Sequence, residues 1–108
     1  MPDFNSKDYI PATLRLPHGV PPAWGRLSRV DPSGCSLVSR FELKEGSGAA
    51  LEFELADETF SDIMSRVRSR RRDAEGYFTY EIFFTNELQR KNLALALARM
   101  QGLPGDVV

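Results

Sequence analysis

Apolar and polar side chains alternate through most of residues 12–84, a pattern typical of β-strands that bury one face. The stretch 49–55 shows it most clearly, with Leu51, Phe53 and Leu55 on one face and Glu52 and Glu54 on the other. We predict six short strands joined by hairpins. They cover residues 12–16, 24–30, 35–39, 49–55, 62–72 and 77–84.

Polar segments rich in Gly, Pro, Asp and Ser separate these strands. The sequence DPSG at residues 31–34 is typical of a tight turn. Pro presets φ, Gly tolerates a positive φ, and Asp and Ser side chains can hydrogen-bond the local backbone. We predict a polar loop at residues 41–48 and a hairpin loop at residues 73–76.

The end of the chain changes to the pattern of a helix. Ala and Leu dominate the sequence after Asn86, which can act as the N-cap with Gln89 three residues on. Gly102 and Pro104 then end the pattern. We predict a C-terminal helix over residues 86–101.

This helix carries apolar side chains on two nearly opposite sides. Leu93, Leu97 and Met100 form one stripe, and Leu88 and Leu95 form the other. A single barrel surface rarely buries both sides of a helix, so a segment other than the barrel must bury one stripe.

Two explanations for that cover stay open. The C-terminal tail, with Leu103, Val107 and Val108, folds back over one stripe, or a protein partner or a second copy of the chain covers it. The second explanation defines a candidate helix interface, which would also serve a homodimer. Its residues are Leu88, Leu93, Leu95 and Leu97.

The length of 108 residues is enough for one domain with a single core. Closing the sheet on itself would remove its edges, and the helix would flank one end. We therefore predict a single all-β domain over residues 1–108, a small six-stranded antiparallel β-barrel with one C-terminal α-helix. Residues 1–8 are polar and are expected to form a flexible N-terminal segment.

Composition and charge exclude several classes of function. The net charge is −1, so the bulk electrostatics attract neither nucleic acid nor an anionic membrane. One Cys and one His allow no internal disulfide and offer few metal ligands. No run approaches the roughly 20 apolar residues of a membrane span, and the first residues lack the apolar core of a signal peptide. We expect a cytoplasmic protein that needs no cofactor.

The residues that most often carry catalysis are not arranged for it. Cys35 has no base near it in sequence and is expected to be a small buried side chain. His18 lies in a loop rich in Pro and Gly and is expected to be solvated. Because no activated nucleophile and no paired carboxylates are recognisable, we expect no enzyme activity. Trp24, which opens the second strand, is expected to be a core or half-buried packing residue.

The second strand brings Arg26 and Arg29 close to the small polar side chains of the turn, Asp31 and Ser33. Arginine binds phosphate and carboxylate groups bidentately and stays charged at any physiological pH. This combination therefore suits an anionic ligand.

The strand order and the turn resemble the PilZ domain of bacterial cyclic-di-GMP signalling, over residues 9–100. That family has a (D/N)xSxxG turn, and here Asp31 and Ser33 match it while Ser36 stands in place of the last Gly. A later strand of the family ends in Gly-Val/Ile-x-Phe, and here Glu81 replaces the Gly. The family also has an RxxxR segment before the first strand. The corresponding residues 5–9 contain Lys7 and no Arg.

In the family, the two arginines of RxxxR embrace the guanines and phosphates of cyclic-di-GMP, and the turn hydrogen-bonds the base edges. Each charge-assisted hydrogen bond lost with those arginines is worth about 1.5–3 kcal/mol. The resemblance thus implies a non-enzymatic signalling or adaptor module in motility, pilus or surface-attachment pathways. We expect it to bind the dinucleotide weakly or not at all and to act through a protein partner. The alternative is a genuine cyclic-di-GMP receptor. Its site would consist of Arg26, Arg29, Asp31, Ser33 and Ser36.

The most concentrated charge lies in the fifth predicted strand, where Arg66, Arg68 and Arg70 point the same way. The simplest interpretation is a solvated outer face that pairs in part with Glu52 and Glu54 of a neighbouring strand. An anion or acidic-partner patch is the second interpretation. A nucleic-acid surface is a third and weaker interpretation, because the whole chain is slightly acidic. It would add the aromatics Tyr77 and Phe83 if their side chains are exposed.

Overall fold

The computed structural model describes residues 10–55 and 57–101, which form six strands and one helix. The strands are β1 (Ile10–Arg15), β2 (Ala23–Asp31), β3 (Gly34–Ser39), β4 (Gly48–Leu55), β5 (Glu58–Arg72) and β6 (Phe78–Phe84), followed by the helix α1 (Glu87–Gln101). All six predicted strands and the helix are present. The predicted segments 1–8 and 102–108, with the proposed tail cover, lie outside the described residues.

The strands close into an antiparallel barrel in the order β1-β2-β3-β6-β5-β4. Four connections are hairpins, as the sequence pattern predicts. The fifth is not, because β3 pairs with β6, and β4 pairs with β1 and β5. The loop at residues 40–47 crosses between them, and this crossover closes the barrel without leaving an edge strand.

Strand alternation fills the barrel with one apolar core. Leu51, Phe53 and Leu55 point inward from β4, as predicted, and Tyr80 and Ile82 do the same from β6. Inward side chains of all six strands belong to the same cluster. The hydrophobic burial that stabilises the domain is therefore concentrated inside the barrel, and the outer face is left for function.

Strand β5 begins four residues earlier than predicted. Its start, from Glu58 to Phe60, pairs with the end of β4 through Phe53 opposite Phe60 and Leu55 opposite Glu58. A tight connection with Asp57 at φ 63° joins the two strands. The prediction missed this hairpin because the sequence there lacks the Gly that usually marks a positive φ.

The crossover loop is fastened to the barrel by Tyr80 and Arg70. The Tyr80 hydroxyl donates to the carbonyl of Phe41 at 2.5 Å and accepts from the amide of Leu43 at 2.8 Å. The Arg70 guanidinium donates to the Glu42 carboxylate at 2.9 Å. These contacts fix the position of Phe41, which matters for the outer surface described below.

The helix α1 begins with the predicted cap and is attached to β5 by a contact that the sequence does not indicate. The side chain of Asn86 accepts from the amide of Gln89 at 2.9 Å. The Gln89 amide group does not complete the capping box. It accepts from the amide of Met64 and donates to the carbonyl of Asp62, which joins the helix to β5.

The barrel covers most of one helix stripe and leaves the other exposed. Leu93 and Leu97 are buried, whereas Leu88 and Leu95 are 67% and 62% exposed. Met100, which we predict in the same stripe as Leu93, lies in the last turn of the helix and is 41% exposed. No helix among residues 10–55 and 57–101 is long and apolar enough to cross a bilayer.

The expectation for Trp24 is wrong. Its side chain is 64% exposed, because Trp24 alternates with the buried Ala23 and therefore points away from the core. Its ring packs edge to face against Phe41, with centroids 4.8 Å apart. The expectations for Cys35, which is buried, and for His18, which is exposed, are confirmed.

Candidate functional site

The turn between β2 and β3 is organised by the carboxylate of Asp31. Its Oδ1 accepts from the amide and hydroxyl of Ser33, at 2.8 and 2.6 Å, and from the amide of Gly34 at 3.0 Å. Although burial alone would raise the pKa of Asp31, these hydrogen bonds lower it below its ordinary value. The carboxylate is thus ionised, and its Oδ1 is occupied within its own turn.

The turn is pressed against β6 at Gly34. A Cβ atom at this position would lie 2.0 Å from the carbonyl oxygen of Ile82, so no other residue fits without moving a strand. The carbonyl of Ser33 also accepts from the amide of Phe84 at 2.9 Å. The turn therefore lies beside the end of β6, where the helix begins.

A β-bulge at Ser28 brings Arg29 to the outer face. Strict alternation would place Arg26 outside and Arg29 inside, but the register of β2 against β3 shifts between Leu27 and Arg29. Val30 then points inward and is buried. Bulges of this kind re-aim a side chain, and here the bulge aligns Arg29 with Ser36 on β3.

The guanidinium of Arg29 lies between two carboxylates. Its Nη1 donates to Asp31 Oδ2 at 2.6 Å and its Nη2 donates to Glu81 Oε1 at 2.8 Å. Burial alone would lower the pKa of Arg29, but the hydrogen bonds to Glu81 and Asp31 raise it. The cation that was expected to receive an anionic ligand is already neutralised within the protein.

Ser36 completes this arrangement from the middle strand. It pairs with Arg29 on β2 and with Glu81 on β6, so the three side chains form a row across three strands. The Ser36 hydroxyl lies 3.0 and 2.8 Å from the two oxygens of Glu81 and donates to that carboxylate. Ser36 and Glu81 are the residues that depart from the PilZ turn and strand patterns, and they contact each other directly.

The resulting cluster has an unfavourable charge for an anion. Arg29 contributes one positive charge, and Asp31 and Glu81 contribute two negative charges, which leaves a net charge of −1. A phosphate or nucleotide that approached Arg29 would have to displace a carboxylate that is fixed on a neighbouring strand. Electrostatics therefore oppose anion binding at this turn.

The other residues proposed for this site lie elsewhere or have other partners. Arg26 pairs with Pro11 and Val38 and lines a separate groove on the outer face of β1 and β2. Arg15, which could in principle have reached the turn, is hydrogen-bonded to Asp62. The structure brings together Arg29, Asp31, Ser33 and Ser36 and leaves Arg26 outside the cluster.

The arginines of β5 have partners different from those expected. Arg66 donates to the carbonyl of Gly46 at 2.6 Å, and Arg70 pairs with Glu42 of the crossover loop. Arg68 stacks over the ring of Phe83, with its guanidinium carbon 4.8 Å from the centroid. Glu52 and Glu54 pair with none of these arginines, because the register of β4 against β5 places them beside other residues.

The role of Glu81 does not follow from the sequence, where this residue is recognisable only as a departure from the family pattern. The signal was present, since an acidic side chain at mid-strand on an outer face needs a neighbour of opposite charge. What the sequence did not supply was the bulge that brings Arg29 to that face. The groove beside Trp24 is likewise not predicted, because the expectation for Trp24 was a core or half-buried position.

Two features that often carry catalysis are a reactive cysteine and a metal site. Burial raises the pKa of the Cys35 thiol far above its ordinary value, so Cys35 stays protonated and is not a nucleophile. Among residues 10–55 and 57–101, no group of three His, Cys, Asp or Glu side chains could hold a metal ion.

The comparisons with known proteins identify the fold. No family model matches the sequence, and no curated protein matches it. Among solved structures, the PilZ domain of CeSA from a cellulose synthesizing bacterium is similar, with a TM-score of 0.57 and 16% sequence identity. The similarity covers 82% of this chain and 92% of that one. The predicted PilZ-like fold, a closed six-stranded antiparallel barrel with one C-terminal helix, is confirmed.

Proposed function

With a PilZ-like fold as the premise, we propose that this chain is a non-enzymatic signalling or adaptor module that binds cyclic-di-GMP weakly or not at all and acts through a protein partner. The resemblance supports a place in cyclic-di-GMP-linked pathways of the bacterial cytoplasm, such as motility, pilus function or surface attachment. The proposal concerns the turn and the outer surfaces of the barrel, because the interior is filled with apolar side chains.

The observation that carries the proposal is the position of Glu81. Its carboxylate receives both the Arg29 guanidinium and the Ser36 hydroxyl. It therefore occupies the donors that a nucleotide phosphate or base edge would need. A ligand would have to break contacts worth about 1.5–3 kcal/mol each, and every 1.4 kcal/mol weakens binding about tenfold.

The missing arginines of the RxxxR pattern support the same conclusion. Residues 5–9 contain Lys7 and no arginine. A lysine ammonium is a point charge that cannot make the planar bidentate contact or the base stacking of a guanidinium. Both parts of the family's ligand site are thus altered independently. The arginine pair is absent from residues 5–9, and Glu81 occupies the donors beside the turn.

The helix α1 supports the protein-partner part of the proposal. Leu88 and Leu95 lie seven residues apart, almost two helical turns, and therefore share one side of the helix. Both are exposed, and Lys91 on the same side is exposed as well. Of the four leucines of the candidate interface, these two are accessible to a partner or to a second copy, whereas Leu93 and Leu97 are buried.

Calorimetric titration of the chain with cyclic-di-GMP tests the proposal. We expect no saturable heat at low-micromolar ligand. A low-micromolar dissociation constant would support instead the receptor built on Arg29, Asp31, Ser33 and Ser36, with Arg26 as an added cation. Salt-sensitive binding of an oligonucleotide that is lost when Arg68 and Arg70 are replaced would support the nucleic-acid hypothesis and contradict the adaptor.

A further inference from the structure

Three neighbouring strands place small, aromatic and acidic side chains side by side on the outer face of the barrel. Thr13 on β1 pairs with Trp24 of β2 on one side and with Glu52 of β4 on the other. Directly paired residues of an antiparallel sheet point to the same face. Trp24 and Glu52 therefore face each other across Thr13, about 10 Å apart from strand to strand.

A second row repeats this arrangement two residues along the strands. Pro11 on β1 pairs with Arg26 of β2, and Glu54 follows Glu52 on the same face of β4. The small side chains of β1 thus form the floor of a groove. Trp24 and Arg26 form one wall and the two glutamates form the other. The groove is open to solvent and has a volume of about 1220 Å³.

The aromatic wall is unusually accessible. Trp24 is 64% exposed and contacts Phe41 only edge to face, with an interplanar angle of 67°. Phe41 is held in place by Tyr80, so the indole rests against a fixed support. Exposed Trp on a rigid support is the kind of side chain that dominates binding energy at protein interfaces.

The acidic wall has charges that the described part of the chain does not neutralise. Glu42, Glu58 and Glu81 each form an ion pair with an arginine. Glu52 and Glu54 are exposed and form no ion pair among residues 10–55 and 57–101, and Glu52 accepts only from the hydroxyl of Ser61 at 3.3 Å. The groove therefore offers two negative charges spaced two residues apart along one strand.

We propose that this groove binds an extended segment of a partner protein that carries arginine at alternate positions. Side chains two residues apart in an extended peptide are spaced like Glu52 and Glu54 on β4, about 6.8 Å. A guanidinium there can pair with a carboxylate while it stacks on the indole of Trp24. Arg26 is placed to donate to the carbonyl groups of the same segment.

Other occupants fit less well. Addition of a strand to the sheet is excluded, because β1 and β2 are each paired on both sides in the closed barrel. A nucleic acid or an acidic peptide would meet Glu52, Glu54 and Asp73, which outnumber the two cations of the lining, Arg26 and Arg40. A second copy of this chain could offer an arginine strand, but Arg66 and Arg70 of β5 already bind the crossover loop. The inference deepens the proposed function, since an adaptor needs a surface for its partner.

Fluorescence titration tests the groove directly, because Trp24 is the one tryptophan of the chain. The probe is a blocked Ala-Arg-Ala-Arg-Ala peptide, and its control carries citrulline, which keeps the shape of arginine without the charge. We expect a saturable change in emission with the arginine peptide at low salt and at least about tenfold weaker binding of the citrulline peptide. An equal response to both peptides, or no saturable response, would overturn the proposal.

Variants separate the groove from unspecific attraction. The double substitution Glu52→Gln and Glu54→Gln should weaken the arginine peptide at least about tenfold, whereas the matched substitution Glu87→Gln on α1 should leave its affinity unchanged. Equal weakening in both proteins would contradict the assignment. Both substitutions are exposed and isosteric, and thermal unfolding checks that each variant is folded.

Two further results distinguish the remaining possibilities. Self-association in sedimentation that disappears in the Glu52→Gln, Glu54→Gln variant would assign the groove to a second copy and overturn the partner segment. Failure of the peptide to bind, together with no binding of cyclic-di-GMP, would overturn the groove and leave the adaptor proposal standing. Tight binding of cyclic-di-GMP would instead contradict the proposed function, whatever the peptide does.

Discussion

Arg29 and Glu81 are 52 residues apart in the sequence and are joined by a hydrogen bond of 2.8 Å across the outer face of the barrel. The bond spans β3, which contributes the Ser36 hydroxyl to the same carboxylate. An outer-face arginine that would be available to an anionic ligand is thereby used to hold three strands together.

We predict that Glu81→Gln partly opens this site. Gln keeps the size of the side chain and can still accept from Ser36, but it no longer neutralises Arg29. We therefore expect residual binding of cyclic-di-GMP to become about tenfold stronger, which corresponds to loss of one competing contact of about 1.4 kcal/mol. Chemical-shift titration at millimolar ligand measures such weak binding. The control is Glu42→Gln. It removes a carboxylate that pairs with Arg70 and lies outside the turn cluster. An equal effect of the two substitutions would contradict the role given to Glu81.

Asp31 makes the stability of the turn dependent on acid. The pKa of Asp31 is lowered in the folded protein, so its contribution is complete above the unfolded pKa of about 4 and is lost as the pH falls through the lower, folded value. We predict that Asp31→Asn lowers the free energy of unfolding at about pH 7 and that this difference shrinks below about pH 4. Urea unfolding of both proteins at the two pH values measures it. A difference that stays constant on acidification would show that the carboxylate charge plays no part.

Gly34 is required by the close approach of β3 to β6. A methyl group at this position would overlap the carbonyl of Ile82, so we predict that Gly34→Ala lowers the free energy of unfolding by at least about 1–3 kcal/mol. Chemical denaturation measures the loss. Gly46→Ala is the comparison variant. A Cβ at Gly46 meets open space, but the backbone φ is 85°, so any loss of stability there comes from backbone strain alone. A Gly34→Ala protein as stable as the wild type would contradict the strand contact.

The two sides of α1 should respond differently to a charge. Leu93 is buried in the barrel end, so Leu93→Asp is expected to unfold the domain, and Leu93→Ala to cost about 2–5 kcal/mol. Leu88→Asp and Leu95→Asp should leave the thermal stability nearly unchanged and reduce self-association or binding of a partner. Thermal unfolding and sedimentation separate the two effects. Unfolding of Leu88→Asp or Leu95→Asp would mean that the second stripe is also part of the core.

The sequence predicts the fold of this protein well because two strong patterns coincide. Period-two alternation defines each strand, as in Leu51, Phe53 and Leu55, and an Ala- and Leu-rich segment after Asn86 defines the helix. The crossover between β3 and β4 is not predictable in this way. Alternation specifies which face of a strand is buried, but it does not specify which strand lies beside it.

The candidate site is only partly predictable for the same reason. The turn residues Asp31 and Ser33 are adjacent in sequence, and their contacts follow from local turn chemistry. The contact of Arg29 with Glu81 depends on a bulge and on the pairing of β3 with β6, neither of which has a local sequence signal. A core or half-buried position is expected for Trp24 because tryptophan is usually packed, although its place in the alternation puts it outside.

We propose that the Arg29 cluster is a structural ion-pair network and not a dinucleotide site. Calorimetric titration of the wild-type chain and of Arg29→Ala with cyclic-di-GMP distinguishes the two roles. We expect that neither protein gives a saturable binding heat at low-micromolar ligand and that Arg29→Ala is less stable than the wild type. A low-micromolar dissociation constant for the wild type that is abolished by Arg29→Ala would contradict it.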